Sequence, residues 1–184
     1  MEEEQARTSS KSQTQISFDE DLSWITEQLA ISRCFPSDHV ARLSAAHRIS
    51  AVVDLREEDC DDEEALADSD IAFLHLPTPD MMPVGQQSLD DGVAFVRGHI
   101  DAGRRVLIHC QHGIGRSALL ALCVLADLGH EPLAALRLAK DRRAVISPSH
   151  QQYLGWAQWL ERHGHSVPDA HSFGCIAYRP LTEA

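Results

Sequence analysis

The sequence predicts an α/β domain with a central, mostly parallel sheet flanked by helices. Three observations predict it. Apolar, β-rich runs bounded by polar residues read as buried strands: ISAVVDLR (49–56), IAFLHLPT (71–78) and RVLIHC (105–110). Helical stretches separate and follow these runs, the order expected of a parallel sheet. The chain has 184 residues, 43% of them hydrophobic, enough for one core. No stretch approaches the roughly 20 apolar residues that cross a bilayer.

The elements follow in order. Residues 1–15, MEEEQARTSSKSQTQ, are polar and acidic and lack the basic-then-apolar plan of a secretory signal. They are expected to form a disordered leader, with a catalytic domain over 16–164 and a tail over 165–184. SWITEQLAIS (23–32) suggests one or two short strands, and Pro36 and Ser37 open a helical stretch, DHVARLSAAHR. Ser88 and Asp91 form a capping-box pattern, with Leu89, Val93, Val96 and Ile100 at helical spacing behind it and Gly103 at its end. From Arg116 to Leu128 the helix is apolar nearly all round, which predicts burial. Pro132 starts another helix that runs to about Asp141. Ser147 and Pro148 are read as the N-cap and first residue of a last helix, whose inner face carries Tyr153, Trp156, Ala157 and Leu160.

Charge narrows the function. The formal net charge is −12, which argues against a nucleic-acid or anionic-membrane surface. Much of the acid lies in Glu57 to Asp70, EEDCDDEEALADSD. That segment reads as a solvated loop or weak helix; as an interaction surface it would suit a basic partner. The five cysteines are odd in number with no C-x-x-C pair, so a disulfide framework is not expected and a reducing, cytoplasmic setting is. His163 and His165 are read as surface side chains rather than a metal site, and no metal or other cofactor is expected.

The chemistry concentrates in VLIHCQHGIGRSALLALCVL (106–125), where a strand turns into a helix. Free N–H groups at a helix N-terminus attract anions. Gly113 and Gly115 let the backbone of Gln111, His112, Gly113, Ile114 and Gly115 curl so that those groups converge as a phosphate-binding nest. Arg116 adds a planar fork for two oxygens. The same field favours ionisation of Cys110. Ser117 offers a hydroxyl to the sulfur, and His109 is placed to steady the loop. A nucleophile on the floor of an anion cradle suits attack on phosphorus. Cys123, amid apolar residues, reads as core.

His109–Cys110–Gln111–His112–Gly113–Ile114–Gly115–Arg116–Ser117 resembles the H-C-x-x-G-x-x-R-S signature of the cysteine-dependent protein tyrosine phosphatases. Size and element order are most similar to the small atypical dual-specificity phosphatases, over roughly residues 22–162. The resemblance implies that fold, a cysteinyl-phosphate intermediate, and a general-acid aspartate on the loop after the preceding strand. Asp80 in LPTPDMMPV, 30 positions before Cys110, fits that place. Asp90 and Asp91 compete with it but are explained by helix capping, and Asp54 at a strand end is more distant. Met81 and Met82 form an apolar lip or simply pack the loop. Some relatives use a glutamine near Gln151 and Gln152 to place water. Arg142 and Arg143 read as a solvated helix end. Inositide-directed relatives commonly carry lysines in the signature loop; this one has none. The expected substrates are therefore phosphoproteins, at phosphotyrosine and also phosphoserine or phosphothreonine. A phosphoinositide, a nucleotide or an RNA 5′ end is the alternative, and a non-catalytic phosphate-binding module ranks last.

Overall fold

The computed structural model describes residues 18–180. The leader expected over 1–15 lies outside the described residues. The elements are α1 (Phe18–Asp21), β1 (Ser23–Trp24), β2 (Leu29–Arg33), α2 (Val40–Ala45), β3 (Ile49–Arg56), α3 (Glu63–Asp68), β4 (Ala72–Thr78), α4 (Gln86–Asp101), β5 (Arg105–Cys110), α5 (Arg116–Asp127), α6 (Pro132–Arg142), α7 (His150–Arg162) and α8 (Ala170–Ala177). The sheet order is β1-β2-β5-β3-β4, antiparallel at β1–β2 and parallel elsewhere, so the fold class is as expected.

β5 is central. His109 sits opposite Ser32 of β2 and Asp54 of β3, and Cys110 sits opposite Arg33. Strand alternation then sorts the side chains. Val106, Ile108 and Cys110 enter the larger core under α4, α5 and α7, while Leu107 enters the smaller core with Phe18, Leu43 and Leu66. His109 follows Leu107, its ring 4.9 Å from that of Phe35. Helix α5 runs through the larger core with every residue from Arg116 to Ala126 buried, as its composition predicts. Among the described residues no helix is long and apolar enough to cross a membrane.

The structure corrects three expectations. Helix α4 begins earlier than the Ser88–Asp91 pattern implied: Gly85 is its N-cap and Ser88 lies inside it. Helix α7 begins later: Ser149, not Ser147, is the N-cap and closes a reciprocal box with Gln152. The tail expected from 165 is not separate through 178. Phe173, Ile176 and Ala177 of α8 join the larger core. Lys140 donates to the carbonyl of Ala177 at 2.9 Å, Tyr153 to Pro168 at 2.8 Å and Tyr178 to Pro148 at 2.8 Å.

Candidate active site

The site is built where β5 ends and α5 begins. Gly113, at φ +65°, takes the left-handed turn that a side chain would strain. A Cβ there would also lie 2.5 Å from the Ser32 carbonyl oxygen. The loop is anchored from outside by its carbonyls: Gln111 accepts from the Cys34 N–H and Ile114 from the Ser147 N–H. Its N–H groups are thereby free to face inward.

Cys110 is buried at 3% exposure, with Sγ 3.4 Å from the Ser117 hydroxyl. Burial opposes its ionisation most strongly. The Ser117 hydroxyl and the N–H groups of Ser117, His112 and Gly113 outweigh it, and the thiol lies below its ordinary value. Cys123 is the contrast: burial, helped by the Asp90 charge, pushes its thiol well above the ordinary value, as suits an inert core residue.

Arg116 is 1% exposed. Its Nη1 donates to Glu58 and to the Thr78 carbonyl, both at 2.8 Å, and its Nη2 donates to the second Glu58 oxygen at 2.8 Å. This fork holds the Glu58 carboxyl down at about 2. Asp80 Oδ1 lies 3.3 Å from Nη2, and the Asp80 side chain is 65% exposed. The Arg116 Nε is buried and has no protein partner. Nη1 and Nη2 are thus committed to Glu58, Thr78 and Asp80, and Nε is the donor left over for a phosphoryl oxygen, on a guanidinium whose charge is coupled to Cys110.

His109 does not bond the loop. Its Nε2 lies 2.7 Å from Asp61 Oδ2, on the face opposite Cys110. Asp61 in turn accepts from Arg56 at 2.7 Å, and Arg56 also grips Asp54 and Asp59 at 2.9 Å. The segment read as solvated is thus pinned at Glu58 and Asp61, and only part of it is free. Asp54, Asp61 and His109, and separately Asp54, Cys60 and His75, bring possible metal-ligand atoms within 4.8 Å of one another. Both Asp54 oxygens already accept from Arg56, which is the cation this cluster holds.

Two more residues read differently in the structure. Arg143 is not a solvated helix end but is buried, donating to the Gly113 carbonyl at 2.8 Å and the His112 carbonyl at 3.0 Å. Gln152 is buried between loops: its amide donates to the Met82 carbonyl at 3.2 Å, and its Oε1 would lie 2.5 Å from a Cβ on Gly115. Gln151 is exposed, as are Met81 and Met82. Asp90 is taken up by Trp159 Nε1 at 2.9 Å and Arg162 at 2.8 Å, away from the cradle. Sequence patterning singled out neither Glu58 nor Asp61. The signal for Glu58 was position: it lies just past the carboxyl end of β3, the edge of a parallel sheet where sites assemble.

Comparison with known proteins agrees with this arrangement. Residues 34–160 match the family described as dual specificity phosphatase, catalytic domain. Dual specificity protein phosphatase 1 of Mus musculus is 39% identical over 61 residues, a stretch covering 33% of this chain and 17% of that protein. The chain thus matches only a small part of that relative's length. Among solved structures, Tk-PTP in its active form superposes with a TM-score of 0.70 at 23% identity, covering 77% of this chain and 97% of that one. PTPMT1 in complex with PI(5)P gives 0.72 at 19%, covering 77% and 96%.

Proposed function

The chain belongs to the dual specificity phosphatase catalytic-domain family, and from that premise we propose that it removes phosphate from phosphoproteins. The substrates are phosphotyrosine and, through an open cleft, phosphoserine or phosphothreonine. The Cys110 thiolate attacks phosphorus, and the P–O bond to the leaving oxygen breaks. Asp80 supplies the proton that oxygen needs. A water molecule then attacks the cysteinyl-phosphate, giving its proton back to Asp80, and inorganic phosphate leaves with the thiolate restored. Ser117 donates to the departing sulfur, and Arg116 with the loop N–H groups meets charge on the equatorial oxygens. The observation that carries this reading is the thiol held below its ordinary value beside a guanidinium whose buried Nε has no protein partner.

The rim favours protein over polyanionic substrates. Glu57, Glu58, Asp59 and Asp80 are exposed around the cradle, and the loop brings no lysine. A phosphorylated residue with neutral or basic neighbours suits that field better than a headgroup with several phosphates. A nucleophilic thiolate also suits a reducing cytoplasm, where we place the protein.

The test is hydrolysis of an aryl phosphate with chelator present and no metal added, which Cys110→Ser should abolish. Activity that survives that change, or that disappears with chelator, refutes the mechanism. A panel of phosphopeptides, phosphoinositides, nucleotides and RNA 5′ ends then separates the substrate classes.

A further inference from the structure

We propose that Arg143, held by Asp21, is a positioning residue that locks two peptide planes of the signature loop with their N–H groups turned away from it, the first of them toward Cys110. The inference rests on Cys110 acting as an ionised sulfur, the premise of the proposed hydrolysis.

The geometry is specific. In a planar trans peptide the C=O and N–H point in opposite directions. The His112 carbonyl belongs to the same plane as the Gly113 N–H. Arg143 Nη2 donates to that carbonyl at 3.0 Å, and the Gly113 N–H is among the groups that draw Cys110 toward ionisation. Arg143 Nε donates to the Gly113 carbonyl at 2.8 Å, which turns the Ile114 N–H away from Arg143 in the same manner. One guanidinium thus fixes consecutive planes, and its charge polarises both carbonyls, strengthening the N–H groups on their far sides.

The fit is close. A Cβ on Gly113 would lie 2.7 Å from Arg143 Nη2, so the approach needs glycine there. Arg143 is held in turn. Its Nη1 donates to the Asp21 carbonyl at 2.5 Å and to Ser23 Oγ at 3.2 Å, and its Nη2 lies 3.1 and 3.2 Å from the Asp21 carboxylate oxygens. Asp21 Oδ2 also accepts from the N–H of Arg33, the strand position opposite Cys110, at 2.7 Å. The brace therefore joins α1, the β1–β2 hairpin and the end of α6 to the floor of the site. The charged group coupled to the sulfur is Arg116 of α5, with Glu58 and Asp80 on its guanidinium; Arg33 is the register partner of Cys110 on β2. Arg143 acts on the loop from behind, so changing it leaves all of these in place.

The experiment uses the full chain. The thiolate titration of Cys110 is read from the pH dependence of iodoacetamide alkylation, and oxyanion affinity from orthovanadate binding, alongside the melting temperature. Arg143→Lys keeps the charge but loses the planar fork. It should raise the titration midpoint by about one pH unit, lowering alkylation about tenfold at a pH below it, and weaken vanadate binding by a similar factor. Asp21→Asn, which keeps the shape, should move both in the same direction by less, and it serves if Arg143→Lys does not fold. Arg97→Ala, a surface arginine on α4, should move neither. A lowered melting temperature with midpoint and vanadate affinity within twofold of wild type overturns the proposal, because a merely structural arginine would give that result. Alkylation needs no substrate, so it reads the brace even if the phosphatase reading fails.

Discussion

Glu58 offers the sharpest test of how the arginine fork is set. Arg116 has five N–H donors in fixed directions. Glu58 and the Thr78 carbonyl take the Nη1–Nη2 end, leaving Nε without a protein partner. In Glu58→Gln the amide can accept from one guanidinium nitrogen, but its own NH₂ opposes the other. A charge-assisted bond is lost and the fork can rotate. Such a bond contributes about 1.5–3 kcal/mol. The Glu58 side chain is 42% exposed, so solvent screening reduces this to about 1–2 kcal/mol. At about 1.4 kcal/mol per tenfold, kcat/KM on an aryl phosphate should fall about 5- to 30-fold, and inhibition by inorganic phosphate should weaken in parallel. The carboxyl sits at about 2 against an ordinary 4.5, so it stays ionised throughout any useful assay range. The acid limb of the rate profile should therefore survive the substitution. Its folded value is depressed, so its contribution to stability is present above pH 4.5 and is lost as pH falls toward 2. Acid unfolding of the variant should lack that component. If kcat/KM and phosphate inhibition both stay within twofold of wild type, Glu58 does not set the fork.

Two further outcomes are expected. Asp80→Ala should slow a phosphoester with a poor leaving group by about a hundredfold or more, and one with a good leaving group far less; an equal loss on both removes Asp80 as the proton donor. Gly115→Ala puts a Cβ 2.5 Å from Gln152 Oε1, a buried side chain already committed to the α7 cap. Overpacking there should cost about 1–3 kcal/mol in urea unfolding, and unchanged stability would show that Gln152 is free to move aside.

How much was legible follows from distance along the chain. The loop from His109 to Ser117 could be read because its chemistry is contiguous and lies between an apolar strand and an apolar helix. Arg143 could not, because its partners lie 30 and 122 positions away and a basic residue at a helix end has an ordinary explanation. The same holds for Glu58, whose meaning depends on Arg116 across 58 positions. Ser147 and Ser149 flank Pro148 and compete for one cap. The tie is broken by Gln152, three residues after Ser149, and by the Ser147 N–H being spent on Ile114. Helix α8 was hidden because AHSFGCIA shows its buried stripe only at Phe173, Ile176 and Ala177.

An acidic chain with an anion cradle looks contradictory until the buried arginines are followed to their partners. Arg116 carries Glu58, Arg143 carries Asp21, and Arg56 carries Asp54 and Asp61. No unpaired guanidinium is left among these to attract phosphate by charge alone. The groups that most favour the Cys110 thiolate are the Ser117 hydroxyl and the N–H groups of Ser117, His112 and Gly113, all short-range and fixed by the backbone. Paired carboxylates thus orient the arginines without cancelling the field at the sulfur, because that field comes from short-range donors, the Ser117 hydroxyl first and then three peptide N–H groups. Burial removes those dipoles from ionic screening, whereas the exposed carboxylates of the rim are screened. Added salt should therefore leave thiolate formation almost unchanged while altering the approach of charged substrates, which separates the chemistry of the cradle from the selectivity of its rim.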